Sequence, residues 1–457
     1  MTNDDQTPQH PGPTSLGSPT HGGPEGPESR WAKIGVLRPL RVRDFRLLWT
    51  GETVSLLGDG IYLVALAWLV YDLTNAPTAL SAVLLAWSLP QIFFFLVGGV
   101  ISDRFERRRV MMIANAIRMV TMATIGFLAI TGVVELWHLW VLMAITGIGD
   151  SLFMPAFQAI VPDVVPDDML VEANSLGGLV RPAAVQLLGP AVGGLLVGAV
   201  GSGPAFAINS VTFAVSYVTL WLMSPYPVTK QDSDQKASAV AEIREGFAFV
   251  RAHAWLWATL FSAAVSLLVF IGPLEVVVPF IVKNELNGDA SAYGLLLASG
   301  GVGAIFGSIV MGQRGLPAKH ITFMYAIWGL GIFLLAGYAF FDHVWQAMIV
   351  QCVIGGCFST GMIVWMTLMH RLVPRELLGR VSSLDWLVST CLVPVSFGLA
   401  GPVAVAIGPK TTMLWGGLIG SALCVGALFI PGVRDTERSG ALGTGVPDEP
   451  SREPAAV

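Results

Sequence analysis

Charge is what this chain has least of. Only 12% of its 457 residues are Asp, Glu, Lys or Arg, while 54% are hydrophobic; a soluble domain carries roughly 25% charged residues. Such a chain cannot hide its apolar surface from water, and nucleic acid is not an expected partner. Cysteine is scarce as well: Cys352, Cys357, Cys391 and Cys424 all fall in apolar runs without CxxC spacing. They are expected as small core hydrophobes, and neither a disulfide nor a metal site is expected. Residues 1–33 lack the basic and apolar regions of a signal peptide and are rich in Pro, Gly, Thr and Ser, so a disordered tail is expected there, and another over 433–457. No HExxH, GxSxG or Walker loop occurs, and His138, His320 and His343 stand alone. An enzyme is therefore not expected, nor is a cofactor.

What the chain does have is apolar runs of about 20 residues, each long enough to cross a hydrocarbon core of about 30 Å as a helix. Lipid offers no partner to backbone groups, and unbroken runs favour helices over a barrel. Twelve such spans are read at 46–71, 79–101, 110–131, 137–160, 174–199, 204–223, 256–282, 293–312, 320–340, 344–368, 382–406 and 411–430. The expected fold is an all-α membrane protein of two pseudo-symmetric six-helix bundles, 34–224 and 255–432, joined by a linker at 225–254. Within that linker "AEIREGFAFVRAHAWL" puts Ile243, Phe247 and Val250 at helical spacing, the pattern of an interfacial amphipathic helix.

Positive charge sets the orientation, because cytoplasmic loops carry the excess of Lys and Arg. Of the 26 basic residues, Arg118 and Arg181 lie inside spans and only Lys283 and Lys410 fall in loops assigned outside. Both termini are thus expected in the cytoplasm. An internal repeat supports the two halves: "VVPDDMLVEANS" (164–175) and "LVPRELLGRVSS" (372–383) align at an offset of 208, matching Pro166 with Pro374 and Ser175 with Ser383. Repeated bundles are a common way to build transporters.

Between spans two and three the chain reads "GGVISDRFERRR" (98–109). Arginines after a span follow from the positive-inside rule, but Gly99 and Asp103 do not. A glycine four residues before an acid puts a flat spot and a carboxyl on nearly one helix face, where a neighbouring helix could be held. Here the sequence resembles the major facilitator superfamily, whose loop reads G-x-x-x-D-R-x-G-R-R. Gly99, Asp103, Arg104, Arg107 and Arg108 match it, with Glu106 in place of the usual glycine. "LLGPAVGG" (187–194), with Gly189, Pro190, Gly193 and Gly194, is similar to the family's antiporter motif. "FMPAFQAIVPDVVPDDMLVEANSL" and "GDGIYLVALAWLVYDLT" resemble the branch that contains the enterobactin exporter and macrolide efflux proteins. The resemblance implies a cytoplasmic-membrane transporter of a bacterium with a central site that opens alternately to each side. It also implies a cytoplasmic gate in which Asp103 and its arginines meet span eleven near Arg380 and Asp385.

Charges inside spans cost about 2.5–3.5 kcal/mol each on insertion scales, so each needs a reason. Glu52 and Asp59 share one face of span one, Asp150 lies in span four, and Glu275 lies near the outer end of span seven as a candidate outer gate. Asp150 and Arg181 lie at similar depth and could form a buried pair, and Glu52 could face Arg118. Asp59 sits near the midplane with no basic residue at its depth on its own span. It is therefore the expected proton-coupling group, with Glu52 and Asp150 as further candidates. An apolar cavity with few polar anchors suits amphipathic cargo. The expected function is export of a small amphipathic molecule by a monomeric, proton-driven antiporter; an importer or facilitator of the same fold is the alternative.

Overall fold

The computed structural model describes residues 35–226 and 239–438; the side chains of Asp103 and of residues 239–243, among a few others, lie outside the described set. Among the described residues every regular element is a helix, and twelve are long and apolar enough to cross a bilayer. Spans one to six are Arg43–Leu73, Pro77–Phe95 (its helix continuing to Arg104), Arg107–Thr131, Leu136–Val164, Asp167–Val200 and Ser202–Leu222. Spans seven to twelve are Ala254–Asn284, Ala290–Arg314, His320–Phe340, Val344–Leu372, Arg375–Ile407 and Pro409–Phe429.

The spans pack as two bundles of like design. Span one packs on five and six, span two on four, and span three on four and six; in the second half span eight packs on ten, and span seven on eleven and twelve. The bundles meet mainly along two helix pairs, two with eleven and five with eight. An even number of spans brings both ends of the described chain to one face, here called the terminal face.

Two helix starts lie deeper in the terminal loops than expected. Spans five and eleven begin at Asp167 and Arg375 rather than at 174 and 382. Both follow a proline of nearly the same backbone shape, Pro166 at φ −56°, ψ 148° and Pro374 at φ −55°, ψ 142°. A proline there fixes φ and gives up a donor that the first turn leaves unpaired anyway. The offset of 208 between these prolines is the offset of the sequence repeat.

Span five widens to π-helix over Pro182–Leu188, and span seven over Pro273–Val277. Each widened turn starts at a proline, which removes one backbone N–H from the regular ladder.

The terminal face is tied by short ion pairs within the first bundle. Arg107 pairs with Asp163 at 2.5 Å, Arg109 with Glu106 at 2.5 Å, and Arg38 with Asp168 at 3.1 Å. Arg108 pairs with Glu106 and donates to the carbonyls of Trp221 and Met223 at the end of span six. The glutamate that replaces the family's glycine thus pairs with two arginines of the run and offsets one of their two charges. Tyr226 donates to the Asp44 carboxylate at 3.0 Å; burial, then that bond, push its hydroxyl up to about 12, so it remains a donor.

The second tail is ordered further than expected. Residues Asp435–Arg438 form a helical turn, and the Glu437 carboxylate accepts from the Thr322 N–H at 2.6 Å and its hydroxyl at 2.9 Å, capping the start of span nine. The tails expected over 1–33 and from 439 onward lie outside the described residues.

The linker helix spans Ala239–Ala252. Its Val250 is buried and Gly246 lies against Arg380 and Leu384 of span eleven, whereas Phe247 is 57% exposed. Ile243 falls among the side chains outside the described set.

Candidate functional site

The membrane-depth charges gather in the first bundle. Arg118 of span three is 5% exposed and pairs with Asp150 of span four at 3.4 Å. Its guanidinium is held between the rings of Phe153 and Phe213, 4.2 Å and 4.5 Å from their centroids, and it also donates to Asn115. The other oxygen of Asp150 accepts from the Trp87 indole at 2.9 Å. Asp150 is therefore fixed by spans two and three, and its partner is Arg118 rather than Arg181. Arg181 is exposed and forms no ion pair among the described residues.

Asp59 and Glu52 of span one are half-buried and form no hydrogen bond or ion pair among the described residues. Asp59 nevertheless feels the charges of Arg118, Asp150, Glu52 and Arg181, and Glu52 those of Arg118 and Arg181. Asp150 holds the Arg118 guanidinium, whereas Asp59 and Glu52 have no ion-pair partner among the described residues. Two glycines beside Asp59 let its helix be gripped from both sides. Gly58 packs on Asn209 and Thr212 of span six, and a Cβ on Gly60 would lie 2.8 Å from the Gly189 Cα of span five.

Removing Arg118 should be costly for the fold. Arg118→Met leaves the half-buried Asp150 beside Trp87 without its cation, and breaking a fully buried pair costs about 3–5 kcal/mol, an upper bound here. A fall in the melting temperature of the purified protein, partly recovered in the Arg118→Met, Asp150→Asn double variant, is the expected outcome. An unchanged melting temperature in the single variant would deny the pair its structural role.

The residues of "LLGPAVGG" sit where three helices meet. Gly189 and Gly193 contact span one, while a Cβ on Gly194 would lie 2.8 Å from the Gly294 Cα and the Ala290 oxygen of span eight. The motif therefore serves one contact within the first bundle and one between bundles. Pro190 stands at the start of the helix that follows the widened turn.

The bundles are joined at the face opposite the termini. Tyr71 donates to the Val276 carbonyl at 2.6 Å, and Lys283 to the Tyr71 carbonyl at 2.8 Å and to Asp72 at 2.5 Å. Asn75 and Asn284 exchange amide bonds at 2.6 Å and 3.0 Å. The Ser81 hydroxyl donates to the Phe397 carbonyl at 2.6 Å and accepts from the Gly401 N–H at 2.7 Å.

Toward the terminal face the lowest ring contact between bundles is Phe95 stacked on Trp386 at 5.7 Å. Beyond it, a Cβ placed on Gly99, Gly177, Gly178, Gly312 or Gly379 would meet no neighbouring helix within 4 Å among the described residues. Two span-eleven residues expected at the gate have these partners among the described residues. Asp385 accepts from the Trp365 indole at 3.0 Å and from Ser389, and Arg380 pairs with Glu245 of the linker helix. Arg104 is exposed, Arg107 and Arg108 serve their own bundle, and the Asp103 side chain lies outside the described set.

Trp87 and Asn115 were not singled out from sequence. The available signal was a polar tip inside an apolar run, since a buried indole or amide must find a partner.

This arrangement of spans and charges has counterparts among known proteins. Residues 34–436 match the family model described as transmembrane secretion effector. The chain belongs to that family, within the major facilitator superfamily. Macrolide efflux protein A of Streptococcus pyogenes is 24% identical over 398 residues, covering 86% of this chain and 96% of that protein. The multidrug efflux pump Tap of Mycolicibacterium fortuitum is 27% identical over 83% of this chain and 94% of its own. An uncharacterized MFS-type transporter of Bacillus subtilis, YfiS, is 25% identical over 80% of this chain and 88% of its own.

Among solved structures, a variant of the nucleoside transporter NupG superposes with a TM-score of 0.64 at 12% identity, covering 84% of this chain and 99% of that one. A bacterial homologue of the human lysosomal transporter Spinster gives 0.60 at 15% identity, covering 89% and 98%. At these identities the structural likeness speaks for the fold alone.

Proposed function

We propose that this protein exports a small amphipathic molecule across the cytoplasmic membrane of a bacterium in exchange for protons, by alternating access between its two bundles. The observation that carries the proposal is Asp59, an unpaired carboxyl of span one in a cluster of three acids and two arginines. A group of that kind can lose and regain a proton without breaking a structural bond. Positive-inside bias makes the terminal face cytoplasmic, so the contacts around Tyr71, Lys283 and Ser81 close the outer side. In this arrangement the site would face inward, ready for cargo. Relatives named as macrolide and multidrug efflux proteins favour export of apolar, drug-like molecules. The energy source is the proton gradient with no cofactor, the working unit is a monomer in the lipid bilayer, and Asp103 with its arginines would close the inner side in the opposite arrangement.

The test is uptake into inverted membrane vesicles with an imposed pH gradient, screened against macrolides, siderophores and cationic dyes. Concentrative uptake that collapses with the gradient is the expected result. Uptake that only equilibrates, gradient or none, would make the protein a facilitator.

A further inference from the structure

Glu275 is the one carboxyl at membrane depth in span seven, and the proposed transport cycle above leaves it unused. It lies in the widened turn Pro273–Val277, half-buried, with no hydrogen bond or ion pair among the described residues. The next residue carries the carbonyl that accepts the Tyr71 hydroxyl from the first bundle. The turn also packs against spans two, eleven and twelve, so it belongs to the seal of the outer side.

No cation faces it. Tyr62 of span one and Tyr293 of span eight, both buried, feel its charge, and Tyr62 also feels Asp59 and Asp150. Tyr71 is committed to Val276, and Lys283 of span seven to Asp72 and the Tyr71 carbonyl. The outer halves of spans two (77–89) and eleven (393–407) contain no titratable side chain. On span twelve the titratable groups are Lys410, paired with Glu285 at 3.5 Å, and Cys424.

An ionised Glu275 in the closed arrangement would thus be a charge at membrane depth with no hydrogen bond or ion pair among the described residues to offset it. Opening the outer side would put it in water. The closed state must therefore bind a proton at this carboxyl more tightly than the open state does, and by linkage a proton must favour closure. We infer that Glu275 is a proton-binding site of the outer gate: it takes a proton from outside water when the gate is open, and the gate closes over the neutral acid. Resting on alternating access as proposed above, this makes closure itself, and not only cargo exchange at Asp59, dependent on external protons. For one proton the closed-to-open ratio should rise by at most about tenfold per unit fall in pH.

The experiment reads the gate directly and without cargo. Spin labels go on Val133→Cys and Asp342→Cys, exposed positions in the outer loops of the first and second bundles, in the full chain with its four native cysteines replaced. The distance distribution is then followed against pH in lipid nanodiscs. Wild type should move from the longer to the shorter distance as pH falls. Glu275→Gln should hold the shorter distance at every pH, Glu275→Asp should keep the titration, and Asp59→Asn should keep it too.

A Glu275→Gln variant that titrates like wild type would overturn the inference, as would loss of the titration in Asp59→Asn. A wild type whose distance ignores pH but shortens on adding tetraphenylphosphonium would overturn it as well, assigning the neutralising charge to cargo. Gradient-driven export is measured separately in vesicles, so its failure with the titration intact would sink proton-driven export and leave the gate assignment standing.

Discussion

Asp59→Asn is expected to abolish export driven by a pH gradient while sparing the binding of neutral cargo. The substitution keeps the shape of the side chain and removes its exchangeable proton together with the charge of the ionised form. In the structure nothing depends on an ionised Asp59, since it makes no hydrogen bond or ion pair among the described residues. Folding and membrane abundance should stay near wild type, which separates this variant from Arg118→Met.

Under the proposed exchange the expected loss is total, because this acid would be what makes inward movement of protons and outward movement of cargo exclusive. If both compete for one site, each leaves only on the side where the other is scarce. Glu52→Gln, one face below, should only shift the pH optimum, as Glu52 feels the same two arginines. The measurement is initial uptake in inverted vesicles across a range of imposed gradients, beside equilibrium binding of a neutral cargo. Concentrative uptake by Asp59→Asn would defeat the assignment. It would then pass to Glu52 rather than to Asp150, because Asp150 already holds Arg118 and the Trp87 indole.

The sequence made heights in the membrane legible but not the facing of side chains. Twelve apolar runs and the offset of 208 are one-dimensional signals, and the fold follows them. Asp150 and Arg181 do lie at similar depth, yet Arg118 is the partner, because Phe153 and Phe213 hold its guanidinium in the bundle interior. Depth along a helix follows from residue number, whereas facing depends on how neighbouring helices pack. The widened turns at Pro182 and Pro273 escaped notice for a related reason: a proline in an apolar run signals a disturbed ladder but not whether it kinks, ends or widens the helix. Gly99 shows a third limit. Its surroundings are open among the described residues while neighbouring Gly98 packs on Ser151, and sequence spacing does not distinguish the two glycines.

Two adjacent glycines of "LLGPAVGG" should fail in different ways, and the difference is the second large effect expected. A Cβ on Gly193 would lie 2.8 Å from both the Cα and the carbonyl oxygen of Ile61, two residues past Asp59 in the same bundle. Gly193→Val therefore forces spans one and five apart in every state, and overpacking of this kind costs about 1–3 kcal/mol. Its signature should be a lower melting temperature and lower yield, with export reduced in proportion.

A Cβ on Gly194 instead meets the Ala290 oxygen and the Gly294 Cα at 2.8 Å, and the Gly294 nitrogen at 3.2 Å, across the boundary between bundles. Backbone atoms cannot turn aside as a flexible side chain would, so Gly194→Val leaves the first bundle intact and keeps spans five and eight from closing. Export should fall at least tenfold at unchanged melting temperature. The labels at positions 133 and 342 should stay at the longer distance whatever the pH, and Glu275→Gln added to Gly194→Val should not restore the shorter one. The two glycines would have no separate roles if Gly194→Val exported normally, or if it melted early like Gly193→Val; tight packing within the first bundle would then account for the whole motif.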